Sequence, residues 1–308
     1  MSRKGLLLFL GAGIAWGIPY FFIAVALNGF STVSIVWLRV AIAVAILLPL
    51  AIRQNVLRPA LRAWPWVVAF AVLEMVGPWY LITDAGRSIS SSLIGLLITT
   101  VPFIAAFVVG LRGDRSAWHP KTVLGLFIGF AGVVALVGLD VFSGVIALFP
   151  VIMVLLAAVG YAVAPIIANE KMSDVPTLGV ITLSLAVVVI VYAIPAAFTL
   201  PADIAAGPST NEWLSVIFLG MICSALAFVM FFALIKEIGP ARATLITYVN
   251  LLVAMILGIV FLQEPVTTGI AVGLPLVVIG SYLASQRRVA YVRKRNRAPQ
   301  EQALPEHL

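Results

Sequence analysis

Apolar residues run along this chain in long blocks, each closed by a short polar turn. Neither the narrow stripe of a surface helix nor the strict alternation of a half-buried strand is present. The blocks are about 18 to 24 residues long, enough for a helix to cross a hydrocarbon core of roughly 30 Å. Without two-residue alternation a transmembrane barrel is rejected. The pattern predicts an all-α membrane protein of ten transmembrane helices, at 5–26, 32–52, 64–84, 89–111, 121–139, 144–168, 176–199, 212–235, 241–262 and 268–286.

One stretch occurs twice. Leu97 to Gly132 reads LITTVPFIAAFVVGLRGDRSAWHPKTVLGLFIGFAG, and a shift of 148 residues carries it onto Leu245 to Gly280, LITYVNLLVAMILGIVFLQEPVTTGIAVGLPLVVIG. Leu97, Ile98, Thr99 and Val101 then fall on Leu245, Ile246, Thr247 and Val249, while Gly110, Gly125 and Gly132 fall on Gly258, Gly273 and Gly280. Each copy is two apolar blocks around a turn, as in an internally duplicated membrane bundle. The chain divides into a first five-helix repeat (1–140), a second (141–286) and a basic tail (287–308). Five is odd, so the two repeats should cross the membrane in opposite senses.

Composition sharpens this reading. With 63% hydrophobic and 10% charged residues, an ordinary soluble domain is excluded. The net charge of +7 sits at block ends, which marks membrane orientation and no nucleic-acid partner. With the amino terminus in the cytoplasm, every Lys and Arg outside the blocks except Arg87 lies inside, and Asp84, Asp140, Asp203, Glu212 and Glu264 lie outside. The expectation is a multi-pass protein of the cell (inner) membrane with both termini cytoplasmic. Its first block is read as a retained helix with no cleavable leader. The single cysteine, Cys223, allows no disulfide within the chain, and His119 and His307 offer no metal-ligand spacing. No cofactor is implied, and no phosphate-binding Gly-Lys-Ser/Thr loop is present.

Candidate chemistry follows from polar residues inside apolar blocks. Glu74 lies near the middle of the third, where an ionised carboxylate costs roughly 2.5–3.5 kcal/mol on insertion scales. It should face a wet cavity or a partner, or hold a proton. Pro78 frees the Glu74 carbonyl four residues earlier. Arg39 in the second block is within about 3 Å of the same depth. Paired, the two make a structural ion pair; apart, Glu74 is available for proton coupling. Arg39 is read as structural, either paired or snorkelling. Trp16 and Tyr20 share a face of the first block, and Tyr161 and Tyr248 occupy later ones. Such rings could enclose a flat or cationic solute, while Trp79 and Tyr80 read as an interfacial belt. Thr99, Thr247, Tyr248 and Asn250 lie at equivalent depths in the two copies, suited to solute contact or to helix–helix hydrogen bonding. Gly125, Gly129, Gly132, Gly269 and Gly273 are close-packing faces, used within the subunit or at a homodimer contact. The basic tail should touch anionic headgroups.

Taken together, the motifs resemble the drug/metabolite transporter superfamily, specifically its EamA-like ten-helix permeases. They are Gly13-Ile14-Ala15-Trp16-Gly17, Ile89-Ser90-Ser91-Ser92 with Pro102, Gly239-Pro240-Ala241-Arg242, Thr247-Tyr248 and Leu262-Gln263-Glu264. Three positions depart from the family pattern: Leu251 replaces the ninth-span proline, Asp114 the glutamate closing the fourth span, and Tyr161-Ala162 forms the aromatic–Ala pair of the sixth. The resemblance implies a permease for a small organic metabolite or drug, amino-acid-like or a cationic or aromatic solute, with spans 1, 3, 4, 6, 8 and 9 around it. Export is the expected direction. Two rivals are an intramembrane enzyme, for which one Glu and one Cys make a poor catalytic set, and a receptor-like structural protein, which would not need the duplication.

Overall fold

Hydrocarbon offers no hydrogen-bond partner to a peptide group, so apolar blocks of this length satisfy their backbones as helices. A computed structural model of the chain describes residues 2–112, 120–142, 147–238, 243, 246–280 and 282–283, and every regular element among them is helical. Among the described residues six helices are long and apolar enough to cross a membrane: Arg3–Ala26, Thr32–Arg53, Trp64–Ala85, Leu148–Lys171, Thr177–Ala205 and Thr210–Ile238. The remaining four spans are Ser91–Ile98 continued by Val101–Leu111, Pro120–Phe142, Ile246–Phe261 and Thr268–Gly280. Asp114, the Gly239–Arg242 motif and the tail from 287 lie outside the described residues.

The fourth span is broken at Thr99 and Thr100. There the Thr99 and Thr100 hydroxyls donate to Leu96 O and Leu97 O at 2.6 Å, and Pro102 cannot donate to the turn before it. The ninth span runs unbroken through Leu251.

Repeat-equivalent spans pack against each other, and they do so reciprocally. A Cβ on Gly132 would meet Val277 N at 2.7 Å, while one on Gly280 would meet the Gly129 backbone and Gly125 O. Val277 and Gly280 are the 148-residue equivalents of Gly129 and Gly132. The fifth and tenth spans therefore run antiparallel through a contact that maps onto itself, as a two-fold relation requires. The fourth and ninth spans show the same sense, Gly95 against Ala254 and Ser92 against Gly258. So do the second and seventh, where Ser31 N donates to Asp203 Oδ2 at 2.9 Å and Gly179 abuts Val56 O. The chain is two inverted five-helix repeats. The glycine face of the fifth span packs inside the subunit, the first of the two uses its sequence allowed.

Polar contacts tie the repeats at the end of the bundle that carries Asp84, Asp203 and Glu212. Glu264 follows the ninth span and caps the fourth: it accepts from Ser91 N at 2.6 Å, Ser92 N at 3.0 Å and Ser92 Oγ at 2.6 Å. A carboxylate there satisfies first-turn N–H groups and the helix dipole together.

Adding side-chain volume at the fifth–tenth contact should separate the two backbones. Gly280→Val is expected to lower the thermal unfolding midpoint in detergent, by overpacking of about 1–3 kcal/mol. Phe127→Ala, on a ring 70% exposed toward lipid, should leave the midpoint within a degree or so of wild type, as changes outside the packed core do. Removing the cap with Glu264→Ala should cost about 1–2 kcal/mol, measured the same way.

Candidate functional site

The second span carries Arg39 into the protein interior, where its side chain is only 5% exposed. Its Nε and Nη2 both donate to Ser224 Oγ, at 3.2 and 3.0 Å. The guanidinium carbon lies 4.1 Å from the centroid of the Trp79 ring, a cation–π stack shielded from water. Among the described residues no carboxylate forms an ion pair with Arg39. Arg39 is therefore neither snorkelling nor paired with Glu74, which corrects both structural readings of it. Trp79 is 7% exposed and serves as the floor under a buried cation, not as belt. Tyr80 stacks on Tyr192 at 6.4 Å, so it too packs on protein.

Ser224 reaches Arg39 because its helix is locally widened. Leu219–Leu226 is a π-helical segment, and the Ser224 hydroxyl donates to Leu219 O at 2.9 Å, five residues back. A second π segment, Val72–Val76, contains Glu74 and closes with Gly77 N donating to Val72 O. Pro78 accounts for the widening: without an N–H and with a ring at its amide, it forces the preceding turn open. The Val76 carbonyl accepts from Tyr192 Oη at 2.8 Å, and Gly160 of the sixth span abuts the Leu73 carbonyl. A shift of 148 residues carries 72–76 onto 220–224, inside the other π segment. The two repeats are thus distorted at the same place.

Glu74 Oε2 is buried and has no hydrogen-bond partner among the described residues. An orphan carboxylate oxygen in such a setting costs several kcal/mol unless a ligand, a proton or water completes it. Tyr161, from the sixth span, lies within electrostatic reach of Glu74, Arg39 and Tyr20, and it packs against both large hydrophobic cores. Cys223 is likewise close to Arg39. Among the described residues the centre of the bundle holds one cation and one carboxylate, unpaired with each other, with aromatic groups from both repeats around them.

Other expected residues make contacts of their own around the cluster. Trp16 rests on Phe228 and Phe231 of the eighth span at 5.3 and 4.7 Å, a wall next to the cluster. Asn250, with its amide nitrogen turned to the main chain, donates to Ile246 O at 2.9 Å and Gly13 O at 2.6 Å, binding the ninth span to the first. Tyr248 meets the Tyr282 ring at 6.5 Å, and Thr99 bonds back to its own helix. Ser224 and the role of Trp79 are what sequence reasoning missed. The repeat offers one signal for Ser224, since its equivalent is Val76, at the end of the Glu74 turn.

The family of transporters described as EamA-like matches the sequence over residues 3–138 and 148–286, once per repeat. The chain belongs to the EamA-like transporter family. Among relatives of this membrane transporter, the uncharacterized inner membrane transporter YedA of Escherichia coli (strain K12) is 26% identical over 250 residues, covering 80% of this chain and 78% of its own. The uncharacterized transporter YvbV of Bacillus subtilis (strain 168) is 24% identical over 230 residues, 74% of each chain. A protein of known crystal structure superposes on 94% of this EamA-like chain and 99% of its own, with a TM-score of 0.64 and 20% identity. That likeness speaks to the fold alone.

If the Trp79 ring supports the buried guanidinium, Trp79→Leu should destabilise by about 2 kcal/mol through the desolvated cation–π contact. A double-mutant cycle with Arg39→Met, read by thermal unfolding, should return a coupling of that order; additive effects would place the stabilisation elsewhere.

Proposed function

We propose that this chain carries a small organic metabolite or drug across the membrane by alternating access, with the solute held among Arg39, Glu74, Tyr161 and Tyr20. The observation that carries the reading is the buried, unpartnered oxygen of Glu74 in mid-span, inside a cluster built by both repeats. An ionisable group placed there at such cost marks a solute or ion pathway by default. Inverted repeats supply the other half of the reading. Two similar bundles of opposite sense can exchange conformations, so a state open to one face has a counterpart of similar energy open to the other. Glu74 would take a cationic group of the solute or a proton. Tyr161 and Tyr20 would give it contact area, with the Trp16 wall behind them. The placement of Lys and Arg supports cytoplasmic termini and an outer end poor in basic residues. Export is the direction proposed.

Counterflow of labelled solutes across proteoliposomes separates a carrier from an enzyme or a receptor. Glu74→Gln is expected to abolish exchange, or to leave exchange but remove its response to a pH gradient, while the protein stays monodisperse. Wild-type exchange and pH response in that variant would take Glu74 out of the mechanism. In everted membrane vesicles export appears as energised uptake; uptake seen only in right-side-out vesicles would reverse the direction.

A further inference from the structure

The unpaired cation says something about the solute. Arginine recognises oxyanions through parallel N–H donors on one edge of its planar fork. In Arg39 one such edge, Nε with Nη2, is directed at a single neutral oxygen, Ser224 Oγ, at 3.2 and 3.0 Å. No carboxylate completes it among the described residues. A buried guanidinium that served only the fold would be expected to keep a counter-charge, because an uncompensated charge in low dielectric is strongly destabilising. We infer that the solute carries an oxyanion, a carboxylate or a phosphate, and that this group takes the Nε/Nη2 edge of Arg39 from the Ser224 hydroxyl. The inference rests on the reading of this cluster as the solute site.

The surroundings suit such an exchange. Ser224 is not orphaned when it lets go, since its hydroxyl already donates to Leu219 O. The segment that presents it is a π turn, which holds one residue more than the α-helix would place there. Relaxing that turn to α geometry would rotate the residues beyond it by roughly 100° and carry Ser224 off the guanidinium. Trp79 lies against Arg39 independently of Ser224, so the fork keeps a support when its neutral occupant leaves. The equivalent π turn in the first repeat bears Glu74. Both charges of the cluster are therefore served by the same distortion, one directly and one through Ser224.

The test is a thermal-shift measurement on detergent-purified full-length protein with sodium acetate, sodium benzoate and inorganic phosphate, each at ionic strength matched by chloride. At least one of these oxyanions should raise the unfolding midpoint of the wild type. Ser224→Ala, which removes the competing hydroxyl, should respond at lower concentration. Arg39→Gln should need about 10- to 100-fold more anion for the same shift, the loss expected for a hydrogen bond to a charged group. Whether acetate and benzoate or phosphate gives the Arg39-dependent shift decides between carboxylate and phosphate. Equal responses in wild type and Arg39→Gln, or no response in either wild type or Ser224→Ala, would overturn the inference. Should Arg39→Gln fail to fold, Arg39→Lys keeps the charge without the fork, and a wild-type response there overturns it equally. Exchange lost in Glu74→Gln but retained in Arg39→Lys would leave the carrier reading standing and remove this one.

Discussion

A guanidinium taken out of water without a counter-charge needs the surrounding structure to hold it, and much of the centre of this molecule is arranged to that end. Arg39 is only 5% exposed, backed by the Trp79 ring at 4.1 Å and met by one serine hydroxyl. Trp79 comes from the third span and Ser224 from the eighth, so both repeats must be in place before the cation is tolerated. Packing delivers that condition. Glycines let the fifth and tenth, the fourth and ninth, and the second and seventh spans approach at backbone distance, and polar ties such as Asp203 to Ser31 and Glu264 to Ser91 fix their register.

The repeats share a defect as well as a fold. Each has a π segment at the equivalent place, one forced by Pro78 and the other holding Ser224 through a five-residue bond to Leu219. Distortions of this kind persist where the rest of the structure over-determines them, and they often mark sites that do something. Here they aim polar groups into a core that an unbroken helix would have filled with apolar ones. An inverted pair of bundles with matching soft turns is a natural two-state object.

Much of this was legible in the chain. Block length and the 148-residue repeat specify ten helices in two inverted sets, because the hydrocarbon leaves the backbone no alternative. Glu74 stood out since a carboxylate in the middle of an apolar block is costly wherever it faces. The partner of Arg39 was not legible. Ser224 lies 185 residues away, and depth along a helix says nothing of which face it turns when the block is apolar all round. Equal depth drew attention to Glu74 as the partner, and the structure gives Arg39 no ion pair with it. Trp79 looked like a belt residue from its distance to the block end, yet it is buried beneath Arg39, just after a π turn. Asn250 and Tyr248 were read from repeat symmetry, and the contacts they make with Gly13 and Tyr282 follow from which face each turns.

The central claim is that one cluster, built by both repeats, is reached from each side of the membrane in turn. Tyr161→Cys in a Cys223→Ala background places a single thiol within reach of both charges, and small membrane-impermeant reagents can be added to either face of sealed vesicles. Labelling from each face, with a ratio that shifts when transport is energised, is the expected result. A thiol that reacts from one face alone under every condition, or from neither, would contradict an alternating-access site at Arg39 and Glu74.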